Sequence, residues 1–200
     1  MPLIPPLPED SLDPALHDLV QFFQTTLGGV PNSVLTMARR PEIAEAFTNL
    51  NKAVMRDYGA VTPELKRLIG YVASQASGCL YCQAHMILAS ERFGASEERL
   101  NTVWTFETSD HFTEAERAAL AFALAAACVP NAVDDAVAGR LRAHWSDDAI
   151  TEIMGVVALF GWLNRWNDSM GTPLEPLPVS RGEMRLADTT GWHAGKHGDG

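Results

Sequence analysis

Helix-start punctuation is the feature that most narrows what this chain can fold into. Asp13-Pro14, Val30-Pro31, Arg40-Pro41 and Thr62-Pro63 each place proline where a first helical turn begins. There its missing N–H costs no hydrogen bond and its fixed φ suits the helix. Thr113-x-x-Glu116 forms a capping box, and Ser96 and Ser146, each followed by two acidic residues, read as N-caps. Between these signals the apolar residues recur at three and four positions: Leu65, Leu68, Ile69, Val72, Ala73 and Ala76, then Ile150, Ile153, Met154 and Val157. Strict alternation over five or more residues, the signature of a half-buried strand, is missing. The pattern predicts an all-α domain of about eight helices near 14–27, 32–39, 42–58, 63–76, 79–93, 97–106, 114–128, 132–144 and 147–168, the short second one belonging to a helix or a loop. Residues 1–170 form this single domain. Beyond Met170 prolines, glycines and lost periodicity predict an extended or disordered arm over 171–200.

Charge and cysteine usage bound the function. The formal charge is −10, which argues against nucleic acid or an anionic membrane surface as partner. The opening "MPLIPPLPEDSLDP" has no basic n-region, and the longest apolar run, 118–129, is too short to span a bilayer. Three cysteines cannot build an even disulfide framework. A reducing, cytoplasmic setting is the expectation, and there a Cys-x-x-Cys is catalytic or metal-binding more often than structural.

That motif occurs once, in "SGCLYCQAHMILAS" (77–90). A helix opened by Ser77-Gly78 places Cys79 in its first turn, where free N–H groups and the positive end of the dipole stabilise a thiolate. Cys82 follows one turn on, about 5–6 Å away on the same face, within reach of a disulfide. His85, three further, can take a proton from the Cys82 thiol or hold its thiolate. One thiolate can thus attack an O–O bond and become a sulfenic acid, and its neighbour can condense with it. Spacing leaves open which cysteine attacks: the histidine favours Cys82 as the attacking residue, while Cys79 has the helix terminus and is the candidate resolving thiol. Two other readings stand beside this one. Cys-x-x-Cys-x-x-His supplies three zinc ligands, one short of a closed tetrahedron, and the residues can also be core packing.

"GCLYCQAH", preceded by "TPELKRL" and followed by "FTEAERAALAFA" and "FGWLNRWND", resembles the alkylhydroperoxidase D-like branch of the carboxymuconolactone decarboxylase family, from about Leu27 to Asp168. The resemblance implies an all-helical homo-oligomer that reduces alkyl hydroperoxides through a Cys79–Cys82 disulfide, with His85 as relay. No cofactor or metal is implied; a thiol or lipoyl-type partner recharges the dithiol. Two positions depart from the peroxidase pattern. The histidine stands three rather than four residues past the second cysteine. The relay glutamate expected twelve residues before the first cysteine is Arg67, which stabilises a thiolate but passes no proton. Glu64, one turn earlier, is the candidate substitute. Other classes remain alongside: a redox-responsive binding or scaffold protein that does not turn over, and a cofactor-free lyase or isomerase of the decarboxylase type.

Trp162, Trp166, Asn164 and Asn167 cluster at a helix end, where they either pack the core or form a substrate-facing wall opposite the dithiol. Tyr81 points off the cysteine stripe and reads as packing, Cys128 as a buried small hydrophobe, and His111 and His144 as helix-end charges. His193 and His197 sit in the glycine-rich tail, as weak metal candidates or as part of an arm across a partner subunit.

Overall fold

The computed structural model describes residues 1–198. Among them ten α-helices and four short 3₁₀ turns occur, and no strand. The helices are α1 His17–Leu27, α2 Asn32–Met37, α3 Pro41–Val54, α4 Pro63–Ala76, α5 Leu80–Arg92, α6 Glu97–Thr102, α7 Glu114–Ala127, α8 Asp135–His144, α9 Asp147–Met170 and α10 Pro176–Thr190. The all-α expectation holds, and most of the punctuation lies where it was read. Thr62, Ser96, Thr113 and Ser146 each accept a backbone N–H of the first turn through the side-chain oxygen, and Thr113–Glu116 closes its capping box. Some ends differ. The 14–27 helix starts as a 3₁₀ turn at Pro14–Leu16, and α3 stops at Val54 rather than 58.

The centre of the domain is α4. Every residue from Leu65 to Ser74 is buried, so this helix is covered on all sides instead of along one stripe. It packs against α5, α7 and α9. At Gly70 a Cβ would stand 2.6 Å from the Phe160 ring, so only glycine lets α4 and α9 approach this closely. Helix α9 spans 24 residues and stops at Gly171, whose φ of +56° is the left-handed cap that glycine supplies. No helix is long and apolar enough to cross a membrane among the described residues.

The C-terminal arm requires correction. Residues 176–190, expected to be extended or disordered, form α10, which lies on α5 and α6. Pro176 and Pro178 hid it, yet both fall in the first turn, where no intrahelical N–H is needed. Gly182 hid it too. A Cβ there would stand 2.5 Å from the Trp192 ring, so the glycine makes room for the indole that folds back over the helix. Trp192 Nε1 donates to the Leu80 carbonyl at 3.1 Å, and Arg181 and Arg185 pair with Glu91 and Glu97. The tail after α10 returns to its own chain, with Leu174 N donating to His197 O at 2.8 Å.

Candidate active site

The α4–α5 junction builds the site. Gly78, at φ +72°, takes the left-handed conformation that reverses the chain after α4. Cys79 N then donates to the Ser74 carbonyl at 3.1 Å. Cys79 is the N-cap of α5, one position before the first turn where the sequence reading put it. Its sulfur accepts the Cys82 N–H at 3.3 Å, as a serine or aspartate cap oxygen would. Cys82 closes that first turn with its Sγ 2.9 Å from the Cys79 Sγ; both are reduced and both are buried.

From α9, Asn167 Nδ2 donates to Cys82 Sγ at 3.5 Å. Burial pushes the Cys82 thiol well above its ordinary range, the adjoining Cys79 sulfur adds to that, and the Asn167 amide opposes it.

The two sulfurs are not equivalent. A cavity of about 350 Å³ opens among α1, α3, α4, α5 and α9; Cys82 lines it and Cys79 does not. Its walls are largely aromatic and aliphatic, with Phe22, Phe23, Phe47, Phe160 and Leu163 prominent. Tyr81, His85, Asn167 and Arg67 contribute the polar groups nearest the dithiol.

His85 shares the cavity with Cys82, but no direct hydrogen bond joins it to either sulfur among the described residues. Its Nε2 lies 2.7 Å from Glu175 Oε2. Because a carboxylate only accepts, Nε2 carries the hydrogen of this bond. Glu175 Oε1 accepts from the Tyr81 hydroxyl at 3.0 Å and from Asn32 N at 2.5 Å, and the Tyr81 oxygen accepts from Ser33 N at 3.2 Å. Burial alone would raise the Glu175 carboxyl; attraction and hydrogen bonding to His85 and the Asn32 amide outweigh it and hold it below the usual carboxylate range. The Tyr81 phenol moves the other way, raised by burial and by the facing carboxylate. Tyr81, read from sequence as packing, is thus both buried and tied to the carboxylate that holds the histidine.

Glu175 was absent from the sequence reading. It sits at the N-cap of α10, in the segment expected to be an arm. Its signal was Glu175-Pro176, the same residue-then-proline grammar that marks four other helix starts. Glu64, the expected substitute carboxylate, is engaged elsewhere: Arg99 Nε reaches its Oε1 at 2.6 Å, and Arg99 also binds Glu116. Arg67 lines the cavity, with Nη1 donating to the Pro63 carbonyl at 2.8 Å and its guanidinium 3.6 Å from the Phe93 ring centroid.

The expected wall of Trp162, Asn164 and Asn167 separates. Asn167 alone reaches the cavity. Asn164 donates to the Ala73 carbonyl at 3.4 Å, while Trp162 stacks between Phe47 and Trp166 and is 39% exposed on another face. Cys128 is half-buried at the end of α7, its thiol directed at the Leu124 carbonyl. His197 is buried and donates through Nδ1 to the Thr172 carbonyl, whereas His193 is exposed. Among the described residues no three His, Cys, Asp or Glu side chains converge as a metal site would require.

Known proteins place this arrangement in context. The model of the carboxymuconolactone decarboxylase family matches residues 41–125. The uncharacterized protein YnjA of Escherichia coli (strain K12) is 32% identical over 123 residues, 61% of this chain and 67% of its own. The debrominase Bmp8 superposes with a TM-score of 0.84 at 35% identity, over 90% of this chain and 95% of that one. A cysteine-to-alanine variant of Bmp8 in complex with 2,3,4-tribromopyrrole gives 0.86 at 34% identity, over 91% and 96%. An uncharacterized peroxidase-related protein from Ralstonia eutropha JMP134, with an alkylhydroperoxidase AhpD core, gives 0.76 at 27% identity, over 86% and 92%.

Proposed function

The chain belongs to the carboxymuconolactone decarboxylase family, in its alkylhydroperoxidase D-like branch, and from that premise we propose that it is a dithiol-dependent reductase of organic hydroperoxides. One observation carries the reading: two reduced sulfurs 2.9 Å apart, of which only Cys82 borders the cavity. The sulfur on the cavity attacks, and the sulfur behind it resolves.

In the resting site burial keeps Cys82 protonated. His85 is the base that takes this proton across the shared cavity, with Glu175 fixing its tautomer through Nε2. The Cys82 thiolate attacks one peroxide oxygen and the O–O bond breaks. Cys82 becomes a sulfenic acid, and the leaving alkoxide takes a proton back from His85 to depart as the alcohol. The Cys79 thiol then displaces the sulfenic oxygen as water, giving the Cys79–Cys82 disulfide. An external dithiol reductant supplies the two electrons that restore both thiols.

Similarity to the debrominase and the aromatic lining of the cavity favour a second reading, removal of halogen from an aromatic ring. Its balance uses the same parts. The aryl halide and the two thiols yield the dehalogenated ring, the disulfide and hydrogen halide, with Cys82 taking the halogen and Cys79 displacing it as halide.

The test mixes fully reduced protein with one equivalent of tert-butyl hydroperoxide or, separately, of 2,3,4-tribromopyrrole. Disulfide formation is followed by peptide mass and bromide by ion chromatography. Rapid Cys79–Cys82 closure with the peroxide supports the first reading; closure only with bromide release supports the second. Inert thiols in both mixtures would sink the reductase assignment and leave a lyase or isomerase. Consumption of several equivalents in excess dithiothreitol separates turnover from a single-cycle redox response.

A further inference from the structure

We infer that the cavity beside Cys82 takes an anionic aromatic ligand, an aryl compound bearing a carboxylate or similarly ionised group that Arg67 binds. The inference rests on reading this cavity as the substrate site of the dithiol.

The sign of the cavity is the first observation. Among the described residues three cations line it, Arg67 within and Lys52 and Arg56 on more exposed ground, and no aspartate or glutamate does. This is so in a chain whose formal charge is −10. The carboxylate nearest the polar end, Glu175, is held by His85, Tyr81 and Asn32.

Arg67 itself is the second. It is 8% exposed, and a charge so buried is normally paired. The neighbouring buried cation, Lys66, is: it has an ion pair with Glu152 at 2.7 Å and donates to two backbone carbonyls. Among the described residues Arg67 has no carboxylate partner and only the Pro63 carbonyl as acceptor. Its fork therefore faces the cavity with donors to spare, while Phe93 covers one face of its plane. The cost of this arrangement shows in the guanidinium pKa, which burial pushes down to about 10.

The walls set the rest of the ligand. Phe22, Phe23, Phe47 and Phe160 enclose a space of about 350 Å³, enough for a substituted ring and much larger than hydrogen peroxide needs. A ring seated there with its acid on Arg67 lies in the same cavity as the Cys82 sulfur, so the charge orients it and the reducible group is presented to the thiol.

The experiment measures binding, not chemistry. Calorimetric titration of the reduced protein compares 4-isopropylbenzoate with its neutral counterpart 4-isopropylbenzamide. A charge-assisted pair in this setting predicts at least about tenfold tighter binding of the carboxylate. In Arg67→Gln that preference disappears, because the carboxylate loses more affinity than the amide; Arg67→Lys, which keeps the charge without the fork, retains part of it. Circular dichroism checks that both variants fold. Equal binding of the two ligands, a preference that survives in Arg67→Gln, or no carboxylate binding at millimolar concentration overturns the inference. Neither ligand is reducible, so the outcome is independent of the dithiol. A protein that selects the carboxylate yet leaves its cysteines inert to peroxide and aryl bromide loses the reductase reading alone.

Discussion

The first turns of α4 present two buried cations to two different regions. On one side Lys66 is sealed, with no exposure at all: Glu152 of α9 pairs with it, the Val54 and Arg56 carbonyls accept from it, and the Tyr58 ring lies 4.9 Å away. On the other side Arg67 meets a cavity, an aromatic ring and one carbonyl. One position of sequence separates a charge completed by the fold from a charge left for something else to complete. A buried cation with its counter-ion stitches helices together, and a buried cation without one marks a place where a ligand is expected.

Breaking the sealed side has the largest effect. Lys66→Met leaves the partly buried Glu152 carboxylate without its counter-ion, and denaturant melts should show a loss of up to about 3–5 kcal/mol. The open side predicts the opposite sign. Arg67→Met removes a charge that burial disfavours, and a drop from 12.5 to about 10 corresponds to at most about 3 kcal/mol. Relaxation reduces that, so a gain of roughly 1–3 kcal/mol is expected, seen as a raised melting temperature. A variant that is more stable but blind to an aromatic acid would confirm that the two cations serve different ends.

The remaining predictions sharpen the contrast at Glu175, the carboxylate that completes His85 but not Arg67. Glu175→Gln weakens the anchor of His85 and Tyr81, with a stability cost of roughly 1–2 kcal/mol. Single-turnover disulfide formation with hydroperoxide should slow by about 10²-fold, as expected for loss of an oriented base. The smallest effect is on acid stability. Because the folded state holds Glu175 below its ordinary value of 4.5, its stabilisation is fully present above that pH and is lost as pH falls through the depressed value. The gap in stability between wild type and Glu175→Gln should therefore narrow in acid melts below pH 4.5, and a gap that widened there would contradict the assignment.

Much of the scaffold was legible because its signals are local. Thr62, Ser96, Thr113 and Ser146 each satisfy an N–H group three residues away, so the caps can be read with no knowledge of the fold. The Cys79–Cys82 pairing is local for the same reason, since one helical turn brings i and i+3 together. At Pro178 and Gly182 the local rules point against a helix, and α10 forms all the same. Both residues are tolerated only because of where the first turn falls and where Trp192 folds back.

By itself, then, the sequence determined an all-helical scaffold and a dithiol at the start of a helix, because periodicity, capping and one-turn spacing act over a few residues. Which sulfur borders a cavity, which carboxylate holds His85 and which cation stays unpaired were decided by tertiary structure. Glu175 lies ninety positions from His85, Glu152 comes from α9 to neutralise Lys66, and among the described residues no carboxylate comes to Arg67. Such pairings depend on how helices pack, and a pattern along the chain does not encode which face of a buried helix meets a partner and which meets a void.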